Sequence, residues 1–377
     1  RLFLAILAVF LPSLAVAEET VRPKTEFGFI RSVELPNKHA SAQTLSAEYH
    51  PAGGSGPAVW LIGVAHLGSA EYYKSLQARL DQHTVVLYEG VNGGKLKDEA
   101  AGETREAGIQ SKLAKALGLV FQLEAIDYRR PNFINSDLNA ADLAKEIDKL
   151  AVQDGSKSPA KKDETAPWET APEPTKPNPA VPEKIGATDN ETFNSLMDAL
   201  QGTGQLGVQF SALTEMVGST PEMRETTKVM LVEALGQAGE MIEVAKNMSP
   251  DMRDLFEVVL SHRNEVVMRD IRSHLAKLKP TDSIAVFYGA AHMDEIAAQL
   301  AKDLGYTAVV QHWDTAFSAD PGKSFMAPAQ IRMLLQAFGS QVKKAKEEGR
   351  DPLEQLGGDP FQNLFGPAPA NKPAPAK

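Results

Sequence analysis

One pattern is written twice in this chain, and neither an all-helical nor an all-strand fold accommodates it. Residues 58–90, AVWLIGVAHLGSAEYYKSLQARLDQHTVVLYEG, and residues 283–315, SIAVFYGAAHMDEIAAQLAKDLGYTAVVQHWDT, each read strand, Gly-x-Ala-His, helix, strand. The apolar runs Ala58–Ile62, Thr84–Tyr88 and Ser283–Tyr288 are uninterrupted, which suits strands covered on both faces. Amphipathic stretches at Ser69–Leu80, near 105–117 and at Asp294–Leu304 supply covering helices, giving the α/β class. A hairpin is expected from Thr44–Tyr49 and Ala58–Ile62, joined by the turn-rich Pro51-Ala-Gly-Gly-Ser-Gly-Pro57. Further strands are expected at Phe121–Ile126 and Thr307–His312. The central sheet is thus built from two βαβ-type repeats contributed by both ends of the chain.

Between the repeats the composition changes. Of 24 prolines, 12 fall in residues 152–190 and 357–377, where interspersed Lys and Glu add hydration, so neither window can bury a core. The first reads as a disordered linker and the second as a disordered tail. Residues 25–151 then form the first half of the α/β domain, and 191–280 a helical insertion in which Ser249-Pro250-Asp251 is a helix start. Residues 281–318 return to the sheet and 319–356 form a helical extension. The six methionines of residues 191–248, Met197, Met216, Met223, Met230, Met241 and Met248, read either as core or as a peptide-binding groove. At the other end, LFLAILAVFL and the small residues up to Ala17 read as a signal peptide over residues 1–17, too short for a membrane span, and predict an exported product. With 49 acidic against 39 basic side chains, a net charge of −10 argues against nucleic acid or anionic membranes as partners. The lack of cysteine excludes disulfides, thiolate catalysis and iron–sulfur clusters.

Chemistry concentrates at the Gly-His elements. Gly63 and Gly289 are expected to make tight turns that place His66 and His292 at the carboxyl ends of strands, the edge where open α/β sheets bind ligands. Glu89 ends the strand Val85–Tyr88 and is expected on the same edge. One such histidine is well explained as a polar residue satisfied at a strand end. Together, two imidazoles and a carboxylate make a first shell for a divalent transition metal with positions left for water and substrate. Arg263 lies within the apolar stripe of the last long helix of the insertion, so it needs a partner. Asp127, Asp137 and Glu89 are candidates for a structural ion pair, and a developing oxyanion is the functional alternative. Asn264 beside it could orient a substrate or ligand. His312 and Asp314, the counterparts of Glu89 in the second repeat, are further candidates for the same edge.

At these residues the chain resembles the TraB/PrgY/TIKI family, which extends towards erythromycin-esterase-like and ChaN-like proteins. The motifs are Gly63-Val-Ala-His66, Glu89, Arg263-Asn264 and Gly289-Ala-Ala-His292, in the family's order, over about residues 42–315 outside the Pro-rich window. Arg130–Leu138 looks like the family's aspartate-bearing stretch, except that Asn135-Ser136 precedes Asp137 where another pair is the pattern. The resemblance implies a metal-dependent hydrolase, peptidase-like in one branch, using manganese or a similar ion on a peptide or small-molecule substrate. His66, Glu89 and His292 would hold the metal or activate water, and Arg263 would steady the oxyanion. The alternative is a protein that sequesters a peptide, metal or haem at the same edge without turnover.

Overall fold

The computed structural model describes residues 28–35, 37–90, 109–153, 204–237, 253 and 256–350. The expected signal peptide, the helix start at 249–251, the tail and residues 154–190 of the Pro-rich window lie outside the described residues, as do Met197, Met241 and Met248. The strands are β1 (Ile30–Glu34), β2 (Ala40–Pro51), β3 (Ala58–Val64), β4 (Leu67–Gly68), β5 (Val85–Tyr88), β6 (Val120–Phe121), β7 (Phe133–Asn135), β8 (Ser283–Gly289) and β9 (Tyr306–Ala319). The helices are α1 (Ala70–Leu80), α2 (Ile109–Leu117), α3 (Gln122–Ala125), α4 (Ala140–Gln153), α5 (Gly204–Gly218), α6 (Pro221–Gly236), α7 (Arg263–Leu275), α8 (Met293–Leu304) and α9 (Pro328–Glu347). A π-helical turn, Val258–His262, leads directly into α7.

The result is the expected α/β architecture, a central sheet flanked by helices. One half of the sheet is parallel, with β8 between β3 and β5 and β7 outside β5. The other half is antiparallel: β2 pairs with β3 as the predicted hairpin, with β1, and with β9 along its whole length. Because β8 sits between β3 and β5, the two ends of the chain interleave in one sheet.

Period-two alternation fills two cores. On one face, Ile62, Val64, Val86, Tyr88 and Phe287 pack against Tyr72, Tyr73 and Leu76 of α1. On the other, Leu61, Leu87, Ile284 and Val286 meet Val267 and Ile271 of α7 and Ile296 and Leu300 of α8. Local signals fix the helix ends. Ser69 Oγ accepts the Tyr72 N–H at the start of α1 at 3.2 Å, and Gly305, at φ 66°, closes α8 in the left-handed region that favours glycine.

The strand expected at Phe121–Ile126 is corrected. Only Val120–Phe121 is extended, paired with β4 in a separate two-stranded sheet, and Gln122–Ala125 is a helical turn. The sheet position is taken by Phe133–Asn135, because the fully buried Phe133 fills the aromatic cluster of Tyr88 and Tyr128. Of the described methionines, Met230 packs against the cluster joining α6 and α9, whereas Met216 is exposed. Among the described residues no helix is long and apolar enough to cross a membrane.

Candidate functional site

The parallel strands β3, β5 and β8 end side by side, and the residues that follow them form the site. Backbone bonds tie the edge together: Ala290 N–H donates to the Val64 carbonyl at 3.0 Å and Glu89 N–H to the Phe287 carbonyl at 3.1 Å. The two glycines differ: Gly289 opens the expected turn, its carbonyl accepting the His292 N–H at 3.0 Å, whereas Gly63 lies inside β3. Neither Gly63 nor Gly289 has positive φ. Gly63 is required by close approach, since a Cβ there would stand 3.2 Å from the Leu45 carbonyl oxygen and 3.2 Å from Ala290 Cα. The strand thereby lets the second Gly-His element pass directly over the first.

Glu89, nearly buried, has both oxygens engaged. Oε2 accepts the Gly289 N–H at 2.6 Å and Oε1 accepts from Arg263 Nη2 at 2.7 Å. Arg263 reaches it from the first turn of α7 and is only 2% exposed. The same guanidinium donates to both oxygens of Asp137, at 2.8 and 2.7 Å, while Asp137 also accepts the N–H groups of Gly90 and Leu138. Asp127, the other candidate partner, pairs with Arg129 and Arg130 instead. Burial would raise the Glu89 pKa, but Arg263, His292, His66 and the Gly289 N–H together overcome it and bring it down to about 2. The carboxylate is therefore charged at neutral pH.

The two histidines are held alike. His292 is fully buried, its ring meets Tyr288 edge-on at 5.3 Å, and its Nδ1 lies 2.7 Å from Asn264 Oδ1. Asn264 is locked in turn, its amide nitrogen donating to Glu295 Oε2 at 2.8 Å. His66 Nδ1 lies 2.8 Å from Gln122 Oε1, and the Gln122 amide nitrogen donates to the Tyr128 hydroxyl at 2.8 Å. An amide oxygen only accepts, so each Nδ1 carries the proton and each Nε2 the lone pair. His292 Nε2 lies 3.8 Å from Glu89 Oε1, is buried and has no hydrogen-bond partner among the described residues. Desolvation lowers the His292 pKa to about 4, with Glu89 opposing and Arg263 assisting, so the ring is neutral at pH 7. His66 lies near enough to contribute to lowering the pKa of both Glu89 and His292.

This donor set fits a divalent ion in its chemistry. The orphaned Nε2 of His292 is a lone pair the protein itself does not use, and both imidazoles stand in the tautomer that ligates through Nε2. Two carboxylates against one guanidinium leave a net negative charge beside them. Among the described residues, no three His, Asp or Glu side chains are grouped closely enough to hold an ion as they stand. Glu89 Oε1 would have to share its second lone pair between Arg263 and an ion.

The remaining candidates separate. Asn264 orients His292 rather than facing a substrate. Asp314 and His312 do not join the edge: Asp314 accepts from Arg79 Nη1 at 2.7 Å and lies 3.0 Å from His312 Nε2, deep in the β2–β9 ladder opposite Thr44. They fail because β9 runs beside β2, with β3 and β2 between it and β8, so it does not occupy the position that the repeat alignment implies. Gln122, Tyr128 and Glu295 complete the site without having been singled out in the sequence. A lone amide inside the apolar run Phe121–Ile126 was the available signal for Gln122, since a buried polar side chain implies a partner. Comparison of the chain with family models, with curated proteins and with solved structures returned no match.

Proposed function

We propose that this chain is an exported, TraB/TIKI-like hydrolase, metal-dependent and peptidase-like, acting on a peptide or small-molecule substrate at the edge formed by Glu89, His66 and His292. One observation carries the reading: a charged, buried carboxylate stands 3.8 Å from an imidazole nitrogen that is buried, neutral and unpartnered. His66, Glu89 and His292 would hold a divalent ion such as manganese, which when bound supplies Lewis acidity that lowers the pKa of water and polarises a carbonyl. The protein's own residues do the rest. Asp137 and Arg263 hold Glu89 in place, and Asn264 holds the His292 lone pair towards it. Four of the five Arg263 N–H groups are engaged in the described contacts, and the remaining one, on Nη1, can meet a developing oxyanion.

Metal analysis of the purified protein, paired with a peptide-library digest with and without chelator, tests this. Cleavage is expected to be chelator-sensitive and lost in both His66→Ala and His292→Ala, with the fold retained by circular dichroism. Undiminished cleavage in both variants would sink the proposal. The engagement of both Glu89 oxygens by protein donors favours a second reading, in which the edge sequesters a peptide, metal or haem without turnover. Stoichiometric capture with no product by mass spectrometry would select it. Export rests on residues 1–17, and N-terminal sequencing of the exported product reads it directly.

A further inference from the structure

We infer that Gln122 is a positioning residue: it fixes His66 in the Nδ1–H tautomer and so determines which nitrogen that imidazole offers to the site. The argument starts from the identity of each atom. Gln122 is 2% exposed, so its amide must be satisfied by protein groups. Its nitrogen donates to the Tyr128 hydroxyl, which is buried with it, and this leaves the oxygen facing His66 Nδ1 at 2.8 Å. The backbone reinforces the pair, because the Gln122 N–H donates to the His66 carbonyl at 2.9 Å. Side chain and main chain of one residue therefore grip one histidine at two points. The main-chain bond continues the register of the β4–β6 pairing by one residue.

His292 receives the matching treatment from Asn264, itself anchored on Glu295. Two histidines from different repeats are thus clamped by two amides from different helices, each amide backed by a further polar group. A local need to satisfy one buried ring does not account for the same device at both. A shared need for two Nε2 lone pairs does, whether for ligation or for accepting a proton. The use of the tautomer rests on the hydrolytic proposal above, whereas the tautomer itself does not.

The test is nitrogen NMR of the full chain labelled with 15N-histidine, with the His66 resonances assigned by difference against His66→Ala. Wild type is expected to show a protonated-type Nδ1 and an unprotonated-type Nε2 at His66. In Gln122→Leu the ring should move to the other tautomer or a mixture, while Gln122→Glu, which keeps an acceptor on Nδ1, should restore the wild-type pattern. Peptide cleavage should fall by about 10–100-fold in Gln122→Leu and recover in Gln122→Glu. Tyr128→Phe removes the backing of the amide without touching the histidine and should give an intermediate pattern if Gln122→Leu unfolds the chain. A wild-type Nε2–H tautomer, or an unchanged pattern in both Gln122→Leu and Tyr128→Phe, would overturn the inference. The expected tautomers with no cleavage in any variant would uphold it and count against the hydrolytic proposal alone.

Discussion

A buried guanidinium between two carboxylates is costly to assemble, because three charges leave water for the sake of one another. Arg263 recovers the cost through geometry. It makes a two-point contact with Asp137 and a third bond to Glu89, and Asp137 is additionally capped by two backbone N–H groups. The physical consequence is that Glu89 cannot swing, since its two oxygens are held from opposite sides by α7 and by β8. Asp137 is therefore the anchor on which the position of the functional carboxylate depends. Replacing it by asparagine keeps the shape but removes one charge, leaving the guanidinium buried with a single counter-ion. Stability should fall by about 3–5 kcal/mol, the usual cost of breaking a buried pair. Urea unfolding reads this as a lower midpoint at unchanged slope. A midpoint within error of wild type would show that the bond to Glu89 suffices. The loss on adding Arg263→Met should be smaller than the sum of the two single losses, because the two sites share one network and their effects do not add.

At the scale of elements, the site depends on two strand ends that pass closer than most side chains fit. Gly63 is the point of contact, with the Leu45 carbonyl on one side and Ala290 on the other. Gly63→Ala should push β8 and the start of α8 outward and cost about 1–3 kcal/mol, as overpacking does. Gly53→Ala is the control, since a Cβ there meets nothing within 4 Å, and it should lie within about 0.5 kcal/mol of wild type. Equal thermal shifts for the two variants would contradict this account. The same elements show what patterning can and cannot reveal. β3, β5, β8 and the helices between them are long, apolar and periodic, so their types and order were readable, and with them the common edge for His66, His292 and Glu89. β7 was not readable, because Phe133–Asn135 is three residues long and its place in the sheet is decided by the aromatic cluster it completes rather than by its own pattern. Asp314 misleads because nearly the same spacing after each histidine, 22 residues against 23 for Glu89, does not mean the same position in the sheet. β9 lies beyond β3 and β2, and that strand order is a tertiary fact with no local signature. Gln122 is hidden for a related reason, standing in a run whose apolar neighbours read as strand while its partners His66 and Tyr128 are fixed by the tertiary structure.

The whole molecule is a sheet that neither end of the chain can complete. β3 and β5 belong to the first part but do not pair with each other, since β8 from the second part lies between them, and β2 is covered along its length by β9. Removing the second part would expose both edges of the gap and leave β5 and β7 detached from the hairpin. The site is divided in the same way: His66, Glu89, Gln122 and Asp137 come from before the Pro-rich window, and Arg263, Asn264 and His292 from after it. Covalent continuity through residues 154–190 is then not what holds the halves in register. A protease site engineered within that window should yield two fragments that co-elute on size exclusion in native buffer and separate only in denaturant. Neither fragment expressed alone should unfold cooperatively, because each lacks partners for its buried strands. Co-expression of the two should restore both the unfolding transition and the His66 tautomer, since Gln122 and His66 regain their environment only when β8 is seated. Fragments that part in native buffer, or a first fragment that folds cooperatively by itself, would mean that the interleaved strands contribute less than their burial implies.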